Sequence, residues 1–307
     1  MQPVRHGPPA YVMIDLGREA PQSAQWKDHM MSNAEQIEYW NGKVGETWVL
    51  MQERMDAALT PVTGALLAAA NPQAGEFVLD IGCGAGETTL AVDAAVGENG
   101  HAIGLDISEP LLARARERAE ALLSEADFIA ADASTWAEDE GFDLIMSRFG
   151  VMFFADPAAA FAHLHGLAAP GGRLVFACWQ PATRNLWATL PLTALAGLLP
   201  AQPPADPHAP GPFAFADAAR VATILEGAGW HDVTCHSLPF AMQVGEGEDP
   251  IASAVQFNLR IGPAAKAVRD AGIGDAAKPL LAAALQPHLE NGVVALPGAV
   301  WLVTARA

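Results

Sequence analysis

Three aspartates occupy matched places in this chain. Asp80, Asp106 and Asp132 stand 26 residues apart at each step. Each follows a short apolar run (FVL, AIGL, FIAA) and precedes a helical pattern. In a parallel sheet such residues fall on the carboxyl edge, where ligands of these folds bind. After the first aspartate comes a glycine turn, VLDIGCGAGETT at residues 78–89, with Gly82, Gly84 and Gly86 alternating. A turn of this kind offers bare backbone N–H groups to part of a nucleotide. The chemistry these residues could do is recognition of a small nucleotide-like ligand by backbone donors and carboxylate acceptors.

The spacing narrows the ligand. In a dinucleotide turn, G-x-G-x-x-G, the third glycine would fall at Glu87, and Gly86 comes one residue early. Glu87 would also place an anion at the helix N-terminus, where a pyrophosphate needs free N–H groups. No Gly-Lys-Ser/Thr follows, which excludes a phosphate loop. Asp106 lies 20 residues past Gly86, suited to ribose hydroxyls, a feature shared with NAD proteins. Asp80 and Asp132 discriminate. A ring of carboxylates repels a pyrophosphate and suits a ligand with an ammonium group, an exocyclic amine and a sulfonium cation. S-adenosyl-L-methionine carries all three.

The elements that must position these residues are legible as an alternation. EFVLDIG, HAIGLDI, ADFIAAD, FDLIMSRF and RLVFACW read as strands. ETTLAVDAAVG, SEPLLARARERAEALL and DPAAAFAHLHGLAAPGG read as the helices between the strands, with Ser108 as a helix cap. Parallel βαβ units and an α/β, doubly wound, mostly parallel sheet follow. Residues 1–32 read as an N-terminal arm and residues 33–72 as a helical cap. Residues 73–307 read as the core, with excursions at 181–215 and 245–292 suited to a substrate lid. A final strand, AVWLVTARA, is expected to pair antiparallel with the strand before it.

Lys plus Arg number 17 against 35 Asp plus Glu, a formal charge of −18. That balance disfavours nucleic acid and anionic membrane surfaces as partners. Cys83, Cys178 and Cys235 are too scattered for a metal site, so no metal is expected, and an odd count suggests reduced thiols in a cytoplasmic protein. The N-terminus lacks the apolar segment of a secretory signal, and no apolar stretch is long enough to span a bilayer. The N-terminal arm is compatible with a homodimer.

VLDIGCGAG, GLDIS, AAD and PGGRLVF, in that order, resemble the motifs of class I S-adenosylmethionine-dependent methyltransferases. The likeness is broadest with small-molecule enzymes of the ubiquinone/menaquinone C-methyltransferase type. It covers residues 33–180 and, in pattern only, the final strand pair. It implies a seven-stranded Rossmann-like sheet with an antiparallel C-terminal strand, and S-adenosyl-L-methionine as cofactor, with S-adenosyl-L-homocysteine as product. It further implies that Gly82, Cys83, Gly84 and Gly86 face the methionine part, with Asp80 near its amino group. Asp106 would bind the ribose with Ile107 against the adenine, and Asp132 and Ala133 would meet the adenine edge. Ser147 would lie beside the sulfonium. Tyr39 and Trp48, from EYWNGKVGETW, would shield the cofactor.

SRFGVMFF after the fourth strand lacks the Asn/Asp-Pro-Pro-aromatic run of nucleic-acid and protein amine enzymes. Phe149, Met152, Trp179 and Trp187 would instead wall a pocket for a small apolar or aromatic acceptor. Arg148 is the candidate charged group at the reaction centre, and no general base is assigned. Two alternatives share these residues: an NAD-dependent oxidoreductase, and a non-catalytic module that keeps the cofactor cleft.

Overall fold

The computed structural model describes residues 33–139, 141–200 and 206–307. The expected N-terminal arm, residues 1–32, lies outside them. The cap region forms α1 (Asn33–Asn41), α2 (Lys43–Leu50) and α3 (Gln52–Ala70). The strands are β1 (Phe77–Ile81), β2 (His101–Asp106), β3 (Asp127–Ala130), β4 (Phe142–Arg148), β5 (Ala168–Trp179), β6 (His231–Gly245), β7 (Leu289–Glu290) and β8 (Val293–Arg306). Between them lie α4 (Glu87–Val96), α5 (Glu109–Leu122), α6 (Pro157–Leu167), α7 (Leu186–Ala194), α8 (Ala218–Gly227), α9 (Pro250–Asn258), α10 (Pro263–Ala271) and α11 (Gly274–Leu285).

The sheet order is β3-β2-β1-β4-β5-β8-β6, with two-residue β7 paired to β8. The first five strands run parallel, and β8 is antiparallel to both β5 and β6. The doubly wound, mostly parallel sheet expected from the alternation is therefore present, with an antiparallel C-terminal strand. Central strands are apolar on both faces because helices cover both. Leu79, Leu144, Ile145, Met146 and Phe176 are fully buried. On one face Leu66 and Ala70 of α3 pack with Val92 and Val96 of α4 over Val78, Ala102 and Val175. Elsewhere Phe161 of α6 stacks on Phe176, and Val221, Leu225 and Trp230 close the same core.

The excursion at 181–215 contains α7, with Pro191 inside it. The last strand is longer than AVWLVTARA, because β8 starts at Val293 and continues through Pro297, opposite a β6 that continues through Pro239. Both prolines are tolerated for one reason. β6 is an edge strand, and β8 pairs with β5 only from Val300 onward, so each proline has a side without a partner strand to which its missing N–H can be turned.

The turns after β1 and β4 touch through backbone. A Cβ on Gly82 would lie 2.6 Å from Gly150 Cα, and one on Gly150 would lie 2.4 Å from the Ile81 carbonyl. Gly82 also has φ +66, which L side chains rarely adopt. The approach lets Ser147 Oγ donate to the Ile81 carbonyl at 2.7 Å and accept from Gly150 N at 3.0 Å.

Gly82→Ala and Gly150→Ala are each expected to destabilise by about 2 kcal/mol or more, through backbone overlap. Gly166→Ala, in helix α6 with open space around it, should instead stabilise by about 0.5–1 kcal/mol. Chemical denaturation measures all three, and a neutral Gly150→Ala would refute the contact.

Candidate active site

β1 and the first turn of α4 place Asp80 in full burial, 1 % exposed. Its Oδ2 accepts from Thr88 Oγ1 at 2.6 Å and Thr89 Oγ1 at 2.7 Å. Its Oδ1, also buried, has no hydrogen-bond partner among the described residues. Burial pushes its carboxyl up to about 6, against the pull of the two threonine hydroxyls and the more distant Arg148. One oxygen is thus fixed by the fold while the other is left unmet at neutral pH.

Asp106, at the end of β2, brackets the glycine turn. Gly84 N donates to its Oδ2 and Ser108 N to its Oδ1, both at 2.8 Å. Burial raises its carboxyl, and those two N–H groups act in the opposite direction. Each oxygen keeps a further lone pair. Asp132 lies two residues past β3, where its Oδ1 accepts from Ser134 N at 2.9 Å and Ser134 Oγ at 2.8 Å. Ala131 N meets the Asp106 carbonyl at 3.1 Å, so the ends of β2 and β3 are stitched together. Within the turn, Gly82, Gly84 and Gly86 all have positive φ. A Cβ at Gly84 would meet nothing within 4 Å, whereas one at Gly86 would strike Phe128 at 2.9 Å. Gly84 therefore presents an open backbone surface, and Gly86 is needed for helix packing.

Several expected site residues are committed to the fold instead. Cys83 is buried against Gly104, Leu90, Leu112 and Phe128, and burial drives its thiol well up, so it offers the cleft backbone only. The Ser147 hydroxyl is spent on Ile81 and Gly150, as above. Ala133 is buried, and Ile107, half-buried, offers its carbonyl to Asn41.

The cap is fastened to this edge. Asn41 Nδ2 donates to the Ile107 carbonyl at 2.7 Å, and its Oδ1 accepts from Glu109 N at 3.0 Å. Ser108, expected to cap α5 with its hydroxyl, donates to the Trp40 carbonyl at 2.8 Å. Asn41 thus takes over part of that capping from another element. Gly45 makes room for it: a Cβ there would lie 2.1 Å from Trp40 O. Trp40 sits edge-on to Tyr39, Trp48 and Phe153, at 5.6, 5.6 and 5.7 Å.

Arg148, expected at the reaction centre, is tied into an ion network at the start of α4. It bonds Glu87 closely, donates to Thr63 Oγ1 at 2.7 Å and lies 3.6 Å from Asp56. Arg118 joins Asp56 at 3.0 Å and donates to the Ala85 carbonyl at 2.7 Å. Glu87 is pushed up to about 7, chiefly by burial, with Asp56 adding to it and Arg148 opposing.

On the far side of β4, Phe149 has φ +70, rare for an aromatic residue, and stacks on Trp179 at 4.4 Å. Trp179 also meets Trp187 at 4.7 Å and Phe240 at 5.9 Å. Met152, Trp179 and Trp187 are almost fully buried in this cluster, as core rather than as an open wall. His163 bonds the Trp136 carbonyl, and His165 packs on Trp230, both away from the edge. Among the described residues no group of three His, Cys, Asp or Glu could hold a metal, and no helix is long and apolar enough to cross a membrane.

Residues 78–172 match the methyltransferase domain family. The chain is 42 % identical over 77 residues to the demethylmenaquinone methyltransferase of Thermus thermophilus, covering 25 % of this chain and 35 % of that protein. It is 31 % identical over 119 residues to the enzyme of the same name from Mycolicibacterium vanbaalenii, covering 36 % and 52 %. It therefore spans from a third to half of the length of these curated relatives. Among solved structures, the magnesium protoporphyrin IX methyltransferase of Synechocystis PCC 6803, with bound S-adenosylhomocysteine, is similar at TM-score 0.53 and 16 % identity, over 90 % of this chain and 100 % of that one. The phosphoethanolamine N-methyltransferase 2 of Haemonchus contortus aligns at TM-score 0.52 and 13 % identity, over 88 % and 59 %. The fold of the described residues is the one that these solved methyltransferases share, and the family match lies within it.

Within the matched residues 78–172, sequence spacing reached the aspartates and glycines of the edge. It missed Thr88 and Thr89, Gly150, Asn41, and the Asp56–Arg148 pairing. The threonines had a signal, because they follow the turn directly and a strand-end acid lies within reach of a first helical turn. The others are contacts between distant segments with no local pattern.

Asp80→Asn tests the buried charge. A carboxyl raised from its ordinary 3.8 to about 6 removes stability as pH rises through that window, and an amide does not. The variant should therefore gain relative to the native protein between pH 4 and 7, by on the order of 1–3 kcal/mol. A stability difference that does not change with pH would refute this.

Proposed function

We propose that the chain is an S-adenosyl-L-methionine-dependent methyltransferase acting on a small acceptor with an apolar or aromatic body. The observation that carries this reading is the unpartnered, buried Oδ1 of Asp80, beside an open Gly84 and in line with Asp106 and Asp132. The donor set fits the cofactor. Asp80 suits its ammonium group, the spare lone pairs of Asp106 suit its ribose hydroxyls, and Ile107, Asp132 and Ala133 suit its adenine. Trp40 and its neighbours Tyr39 and Trp48, fastened over Ile107 through Asn41, would exclude water from it.

When bound, the cofactor supplies an electrophilic methyl group on a cationic sulfur. The protein's own part is positioning, which can supply much of such a rate. Phe149, held by the β4 turn and stacked on Trp179, is the aromatic surface at the strand end where an acceptor would rest. Arg148, already bonded to Glu87, Thr63 and Asp56, orders the start of α4 and through it the turn. The excursions containing α7 and α9 to α11 would close the acceptor side as a lid.

S-adenosylhomocysteine at about one hundred times its Kd should stabilise the protein by about 2.7 kcal/mol, seen as a rise in Tm. Asp106→Ala should weaken its binding by about tenfold or more. No shift at millimolar ligand, or a shift with NADH in its place, would overturn the reading. Calorimetric titration should also show cofactor affinity falling as pH drops through about 6, where Asp80 takes up a proton. Asp80→Asn should bind weakly at every pH and lose that dependence.

A further inference from the structure

We propose that a cleft between the cap and α10 holds an anionic group, a carboxylate or phosphate, at the far end of the acceptor; this rests on the methyltransferase reading above. The cleft is a cavity of ≈ 40 Å³ lined by Tyr39, Val44, Thr47 and Trp48 of the cap and by Arg260, Gly262, Ala265, Lys266 and Arg269. That volume holds about three water molecules, enough for an oxyanion headgroup but not for a whole acceptor.

Its charge is unlike that of the rest of the chain. Acids outnumber bases 35 to 17 overall, yet three of the bases line this one cleft and no Asp or Glu does. Arg260 donates to the Gln256 side-chain oxygen at 2.7 Å, a neutral partner that leaves its charge uncompensated. Arg54 lies close enough for the charge of Arg260 to lower its pKa, second to burial. Arg54 is in turn occupied, over the Phe257 ring and on the Val244 and Ser253 carbonyls. Lys266 pairs with Asp270 at 2.5 Å, and Arg269 lies within reach of the same carboxylate, but all three residues are exposed, and such pairs are weak enough to exchange for a ligand. Tyr39 and Trp48 supply apolar faces and a phenol donor beside these cations.

The cleft also connects to the acceptor side. A Cβ on Gly262 would lie 3.3 Å from the Trp187 ring, and φ +89 there suits glycine. Trp187 leads through Trp179 to Phe149 at the end of β4. On the opposite wall Trp48 leads through Trp40 to Phe153, just past the same strand. An acceptor anchored here by its anion would lay its apolar body along the half-buried Trp48, Trp40 and Phe153 rings toward the methyl donor, with the buried Trp187 and Trp179 as the floor behind them. Guanidinium groups suit planar oxyanions in particular, because they donate two parallel bonds.

The test is calorimetric titration of the full chain, with and without S-adenosylhomocysteine, using 2-naphthoate, 2-naphthyl phosphate and neutral 2-naphthamide. At least one of the two anions should bind about tenfold or more tightly than the amide, and their ranking separates carboxylate from phosphate. In the double variant Arg260→Gln, Arg269→Gln, both exposed positions, that preference should vanish while S-adenosylhomocysteine binds as before. Equal affinity for naphthoate, naphthyl phosphate and amide would overturn the proposal. So would an anion preference that survives in the variant, or no binding of either anion at millimolar concentration. If S-adenosylhomocysteine fails to bind while the anion preference holds, the methyltransferase reading fails and the anion site stands.

Discussion

Asp80 is held out of water at the end of β1, with one oxygen fixed by Thr88 and Thr89 and the other unmet by the described residues. Much of the local architecture follows from accommodating it. The two threonines must lie on the first turn of α4, so the chain has to reverse within the six residues from Ile81 to Gly86. Gly82, Gly84 and Gly86 make that reversal with positive φ at each. The reversal carries the Gly84 N–H onto Asp106, which fixes the turn against β2. Two carboxyls then face one small region, and burial raises both. A fold selected only for stability would replace Asp80 with an apolar residue. A cationic ligand meets the same cost by supplying the missing partner.

The cap shares in this arrangement. Asn41 spans Ile107 and Glu109, so α1 is joined to the loop that follows Asp106. Asp56 of α3 receives Arg118 and Arg148, so α3 is joined to the start of α4 through Glu87. The side chains of Asp56, Glu87 and Arg148 are about four-fifths buried or more, and a buried ion pair loses far more when one member goes than the intact pair contributes. Two elements of the site, the glycine turn and the loop after Asp106, therefore depend on helices that precede the core in sequence.

How much of this was legible depends on whether a residue's role is local. The alternation of apolar runs with helical patterns gave the parallel sheet, because burial on both faces leaves a composition signal in each strand. The aspartates and glycines could be read because a repeated βα unit puts its ligand-facing residues at a fixed offset. Ser108 shows where that logic ends. Its type and place predict an N-cap, yet its hydroxyl serves Trp40, since Asn41 arrives from 68 residues away to meet Glu109. Arg148 shows it again. Its position at the end of β4 is where a reacting group could stand, but its partners Asp56, Thr63 and Glu87 are chosen by tertiary packing. Pro297 hid the length of the last strand, because its tolerance depends on which neighbours that strand has.

The distribution of charge across the cleft gives the site a polarity. Asp80, Asp106 and Asp132 line the edge of β1 to β3, and Arg260, Lys266 and Arg269 lie beyond the aromatic cluster, between the cap and α10. Phe149, Trp179 and Trp187 stand between the two. Low-polarity rings between opposite charges keep the two fields from cancelling through water, so each stays strong at its own end. On the readings proposed above, a cationic donor would be drawn to one end and an anionic acceptor to the other, which would set their mutual orientation before any base is needed. In a chain with a net charge of −18, three cations line this one cleft, with Asp270 beside Lys266 and Arg269 and a neutral partner on Arg260. Recognition of an anion, as proposed above, would be the physical gain of gathering them.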